Sequence, residues 1–123
     1  MSSQDSLPQL YGAIVLVFSH RQFRSSIIEL LPANTKIDNY ADCIEIVYGE
    51  APLVYSWEID DLLTQLFKNC DLELLCDLVE NYNASVLIDI SFRHFERFPA
   101  LIFEGHNMQI IHMLHADISI DPY

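Results

Sequence analysis

Two hydrophobic periods alternate along this chain. Residues 11–18 (Tyr-Gly-Ala-Ile-Val-Leu-Val-Phe) are β-branched and apolar at odd and even positions alike. That pattern predicts a central strand covered on both faces, or on most of each. Ser19 is placed to cap a helix over 22–31, with Phe23, Ile27, Ile28 and Leu31 on one stripe and Pro32 closing it. Residues 33–40 read as a loop. Residues 43–48 alternate, with Ile44, Ile46 and Tyr48 on one face and Glu45 on the other. A turn at 49–52 leads into a return strand over 53–57.

Helix spacing then takes over. Ile59, Leu62, Leu63, Leu66, Phe67 and Cys70 form one stripe; after Asp71, a candidate N-cap, Leu74, Leu75, Leu78, Val79 and Tyr82 form a second. Residues 84–93 give the clearest strand: Val86, Ile88, Ile90 and Phe92 face one way, Asp89, Ser91 and Arg93 the other. A strand over 98–104 follows a short turn. A helix over 107–114 turns Met108, Ile111 and His112 or His115 inward. A final strand over 116–123 turns Ile118 and Ile120 inward and Asp117, Ser119 and Asp121 outward. The order β-α-β-β-α-α-β-β-α-β implies an α+β fold: a single mostly antiparallel sheet with helices packed on it, partly ferredoxin-like in its first half. Residues 1–9, mostly polar, with Pro8 and no periodicity, read as a loose tail, and 10–123 as one domain.

Composition narrows the function classes. Of 123 residues, 51% are hydrophobic, enough for a real core and too many for a disordered chain. Six bases against 18 acids leave a net charge of −12. Phosphate binding needs a basic footprint, so direct nucleic-acid binding and anionic membrane surfaces are disfavoured and a basic partner is favoured. The longest apolar run, 10–18, is shorter than the ~20 residues that span a bilayer. The segment before it has an acid where a signal peptide carries a base. Three cysteines, Cys43, Cys70 and Cys76, are an odd number in apolar segments, which predicts reduced thiols in a cytoplasmic protein.

Catalytic and metal chemistry find little support. His106, His112 and His115, with Glu104 or Asp117, lack the spacing of any zinc motif. His94 and Glu96, near Asp89, alternate faces at a strand end and have no nucleophile beside them. Gly-rich phosphate loops, G-x-S-x-G and H-E-x-x-H are all missing. The expectation is no enzyme, no metal and no cofactor.

The acids are better organised. Between Glu58 and Glu80 lie seven (Glu58, Asp60, Asp61, Asp71, Glu73, Asp77, Glu80) against one base, Lys68, which is half the net charge in a fifth of the chain. At about 100° per residue, Glu73, Asp77 and Glu80 share an arc opposite the apolar stripe of their helix. Like charges at these spacings weaken a helix slightly, and a face that is only solvated normally mixes in lysines. The candidate contact residues for a cationic protein are therefore Glu73, Asp77 and Glu80, with Glu58, Asp61, Asp117 and Asp121 as secondary ones. If those acids only solubilise, the 93–98 turn with Phe92, Phe95 and Phe98 is the next place for an interface anchor.

Four pieces also carry a resemblance: the apolar strand at 11–18; Leu30-Leu31-Pro32; Trp57 before the helices of 59–82; and the closing Ile118-Ser119-Ile120-Asp121-Pro122-Tyr123. In that order they resemble a small acidic bacterial family known only as a domain of unknown function. Here Ser119 stands where that family has an acid, and the Lys-Gly after the proline is missing. Such proteins are similar to immunity proteins of contact-dependent growth inhibition and polymorphic toxin systems. The resemblance implies a cytoplasmic inhibitor, monomeric alone, that binds the C-terminal domain of a cognate, basic, nuclease-type toxin; it implies no catalytic residues. The alternative is a small-molecule or regulatory binding domain with a pocket between sheet and helices near Tyr48, Tyr55 and Trp57.

Overall fold

A computed structural model of the chain describes residues 8–33, 35–51, 53–93 and 100–122. The elements run β1 (Gln9–Phe18), α1 (Ser25–Leu30), β2 (Lys36–Asn39), β3 (Ile44–Glu50), β4 (Val54–Tyr55), α2 (Ile59–Lys68), α3 (Leu72–Tyr82), β5 (Ser85–Arg93), α4 (Gly105–Met113) and β6 (Asp117–Pro122). Among the described residues, six strands form one mixed sheet, so the α+β class stands. Its order is β2-β3-β1-β5-β6, with β4 pairing the first residues of β1. Every pairing is antiparallel except β5 with β6, which α4 joins as a β-α-β crossover.

Local chemistry explains the helices. α2 has Asp60 and Asp61 in its first turn and Lys68 in its last, matching the helix dipole at both ends. Asp71 caps α3 by accepting from the Leu74 N–H at 3.1 Å. α3 ends on Asn83 at φ 58°, a left-handed position that asparagine tolerates. Alternation divides the sheet. Leu10, Ile14, Leu16 and Phe18 of β1, Ile44, Ile46 and Tyr48 of β3, and Val86, Ile88 and Ile90 of β5 are buried. They meet Leu62, Leu63, Leu66, Leu75 and Leu78 of α2 and α3 in one core, which Ile27 of α1 and Ile110 of α4 join. Helix α2 passes close over β1 at Gly12, where a Cβ would stand 3.0 Å from Leu62 Cδ2.

Several expectations are corrected. The tail ends sooner: Pro8 is buried, its carbonyl accepts from the Ser56 N–H at 3.1 Å, and β1 begins at Gln9. Residues 1–7 lie outside the described residues. Ser19 closes a turn, its carbonyl accepting from the Gln22 and Phe23 N–H groups, and α1 starts only at Ser25. Leu31 is extended because it precedes Pro32, so the helix is short and Ile28 is 48% exposed. The loop of 33–40 contains β2, a four-residue edge strand laid on β3. The return strand shrinks to β4 and pairs β1, taking over that edge where β3 departs. No strand forms over 100–104: Ala100 makes a single bridge, its N–H donating to the Trp57 carbonyl at 2.9 Å, and Ile102 is 83% exposed. The earlier part of that segment, with His94, Phe95, Glu96 and Phe98, lies outside the described residues. His112, His115 and Met108 point outward, and Asn107 is buried in their place. The helices cover only one face of β1; its odd residues remain half-buried on the other.

Tyr48 ties the sheet to α3, its hydroxyl donating to the Asp71 carbonyl at 3.0 Å. Burial, helped by the Asp71 carboxylate, pushes this phenol up to about 12. A pKa raised on folding adds stability below the unfolded value near 10 that is lost as pH rises through the folded one. Urea unfolding at a series of alkaline pH values is expected to show stability falling between pH 10 and 12. Tyr48→Phe should lose about 1 kcal/mol at neutral pH and show a shallower alkaline fall. Equal slopes in the two proteins would remove Tyr48 from the alkaline transition.

Candidate functional site: the acidic face of helix α3

Leu75 and Leu78 point into the core and set the rotation of α3. Glu73 and Glu80 are consequently exposed, with Asp77 half-buried beside them. Together with Asp71, Leu74 and Cys76 they line a shallow depression of about 500 Å³. Asp77 accepts from the Asn81 side chain one turn later, which orients its carboxylate. The Asp71 carboxylate is engaged as the helix cap. Among the described residues no base lines the depression. Burial, then the nearby Glu80 carboxylate, holds the Cys76 thiol above its ordinary range, so this cysteine is a poor nucleophile. The arrangement suits binding: carboxylates ring a small apolar floor, and no nucleophile–base pair is present among these residues.

The secondary acids lie elsewhere. Asp61 is exposed but accepts from the Ser56 hydroxyl at 2.5 Å, and that oxygen accepts from the Glu58 N–H at 3.0 Å. The pair Glu58 and Asp61 thus belongs to a latch at the start of α2. Asp117 and Asp121 are exposed on β6, on the sheet face away from the helices. The three acids of α3 form one surface with each other, apart from these four.

Asp60 turns the other way. It is 7% exposed, and its Oδ1 accepts from the Asn107 side-chain amide at 2.8 Å and from the Glu104 N–H at 3.0 Å. The same amide reaches the Thr64 hydroxyl at 3.0 Å, which donates to the Asp60 carbonyl at 3.0 Å. This network docks α4 on α2. The signal was present: Asp60 stands three and seven residues before Leu63 and Phe67, on the buried arc of the helix.

The other candidate sites are dispersed. The His112 and His115 rings lie 6.1 Å apart on the outer side of the α4 terminus. Among the described residues no group of three His, Cys, Asp or Glu could hold a metal ion. Tyr48 lines a cavity of about 290 Å³ with Pro32, Thr35, Lys36 and Glu50, without Tyr55 or Trp57. The three cysteines are free, and burial pushes Cys70 up to about 11. No described helix is long and apolar enough to cross a membrane. No family model, curated protein or solved structure matches the chain.

Proposed function

We propose that this chain is a non-catalytic binding protein that neutralises a basic protein, in the manner of an immunity protein facing a nuclease-type toxin domain. The observation that carries the reading is the unmixed acidic face of α3. Glu73, Asp77 and Glu80 share it with no base, although a lysine at any of these positions would relieve their repulsion. A field of one sign raises association rates by roughly 10–1,000-fold for a ligand of opposite sign and selects against partners of the same sign. The net charge of −12 extends that field over the whole molecule. The resemblance to small acidic immunity proteins points the same way.

The test is kinetic. Association with a basic toxin domain encoded beside this chain's gene should slow at least tenfold as ionic strength rises from low to several hundred millimolar, because the Debye length shrinks to a few ångströms. Glu73→Lys with Asp77→Lys should slow it about tenfold more at low salt while costing no more than about 0.5 kcal/mol at exposed Glu73 and about 1 kcal/mol at half-buried Asp77, which loses its Asn81 hydrogen bond. An on-rate indifferent to salt would sink the steering argument. Full protection of toxin-challenged cells by the double variant, at normal expression, would move the contact off α3.

A further inference from the structure

The second face of the sheet carries a surface of its own. Strand register places its side chains in rows. Across β6, β5, β1, β3 and β2 one row reads Asp117, Leu87, Val15, Val47, Lys36. On one side of it the row reads Ser119, Asp89, Ala13, Glu50; on the other it reads Ser85, Val17, Glu45, Asp38. Leu87, Val15, Val47 and Val17 therefore make a continuous half-buried apolar strip, and none of them belongs to the core beneath the helices. Around it stand six carboxylates: Asp38, Glu45, Glu50, Asp89, Asp117 and Asp121. Among the described residues, the bases on this face are Lys36 at one edge and Arg93, whose guanidinium lies 6.0 Å from the centre of the Tyr11 ring.

Two features distinguish this face from one that is merely solvated. An antiparallel sheet with one wet side normally alternates apolar-in and polar-out, yet β1 has Ala13, Val15 and Val17 on the wet side. Asp38 and Glu45 are also direct cross-strand partners, an arrangement that weakens a sheet. An apolar patch rimmed by charge marks an interaction surface, and the sign of the rim states the partner. We infer that the open sheet face docks a basic protein surface with an apolar centre, its Lys and Arg meeting the carboxylate rows and its apolar side chains covering Val15, Val47 and Leu87. A second copy of this chain fits poorly, because it would set six carboxylates against six. The inference shares a basic partner with the preceding reading but does not depend on α3.

The probe is a soluble peptide of alternating lysine and valine, titrated into the isotope-labelled full chain at low salt, with oligolysine of equal charge as control. The methyl signals of Val15, Val47 and Leu87 should shift with the Lys–Val peptide and remain still with oligolysine. Val47→Ser should weaken peptide binding at least tenfold. Should that variant unfold, Glu45→Gln with Asp89→Asn should do the same, and Glu73→Lys with Asp77→Lys should change the peptide affinity less than either. Shifts confined to the amides around Glu73 and Asp77 would overturn this inference and leave the α3 reading standing. Failure of both cationic probes to bind anywhere would count against both. Concentration-dependent doubling of mass in sedimentation, with the same methyls shifting and no competition by peptide, would assign the face to self-association and overturn the proposal. So would a truncation of residues 1–7 that alone shifts these methyls.

Discussion

Leu62→Ala is expected to lose about 3–5 kcal/mol of unfolding free energy, at the upper end for a leucine truncated in a core. Leu62 is fully buried and sits where α2 crosses β1. The crossing is close because Gly12 has no side chain: a Cβ there would stand 3.0 Å from Leu62 Cδ2 and 3.2 Å from its Cγ. Gly12→Ala alone should therefore cost about 1–3 kcal/mol by overpacking, despite removing a flexible residue from a strand. In the double variant the new methyl enters the space the leucine vacates. The two effects should fall short of their sum by about 1–2 kcal/mol, the coupling expected of side chains in contact. A urea double-mutant cycle measures this directly. Strict additivity would mean that Gly12 is not what lets α2 lie on the sheet.

Asn107→Leu should lose about 2–4 kcal/mol while keeping the branched side-chain shape, because it removes a donor from a buried carboxylate. Asp60 would then keep the Glu104 N–H as its remaining side-chain partner. Replacing both members, Asp60→Leu with Asn107→Leu, should be milder than Asn107→Leu alone, since no charge is then left in the interior. Hydrogen exchange at the Glu104 amide gives an independent reading: its protection should fall in Asp60→Ala. An unchanged denaturation midpoint for Asn107→Leu would show that α4 is held by its apolar contacts, chiefly Ile110 and Leu114, which are both buried.

The acidic surfaces differ in how far they could be read in advance. The α3 face followed from helical periodicity alone. Leu75 and Leu78 had to face the sheet, so Glu73, Asp77 and Glu80 had to face solvent. The open sheet face did not follow, because half of it comes from cross-strand register. Asp38 and Glu45 become neighbours only when β2 forms, and β2 is a four-residue strand with no independent signal. Asp60 enters the 58–80 charge count because charge is a composition-level property, which says nothing of where a side chain points. Its inward position is a matter of phase, and Asn107, the residue that satisfies it, is 47 positions away.

Periodicity along the chain by itself determined the helical phases of α2 and α3, the alternation of β3, β5 and β6, and the Asp71 cap. Each of these depends on residues a few positions apart. Tertiary structure decided which edges pair and which faces are covered. A strand over 98–104 was consistent with its local pattern, but Ala100 bonds to the backbone of Trp57 and Ile59 beside α2, and the edge of β1 is occupied by β4. Residues 11–18 were apolar on both faces, and a sequence cannot say whether the second cover comes from its own helices. Here all four described helices lie on one side, since Ile27, Leu62, Leu75 and Ile110 share one core, and the other side of β1 is left for a partner by the inference above. Burial of a strand face is a property of what reaches it in space, and only the folded chain contains that information.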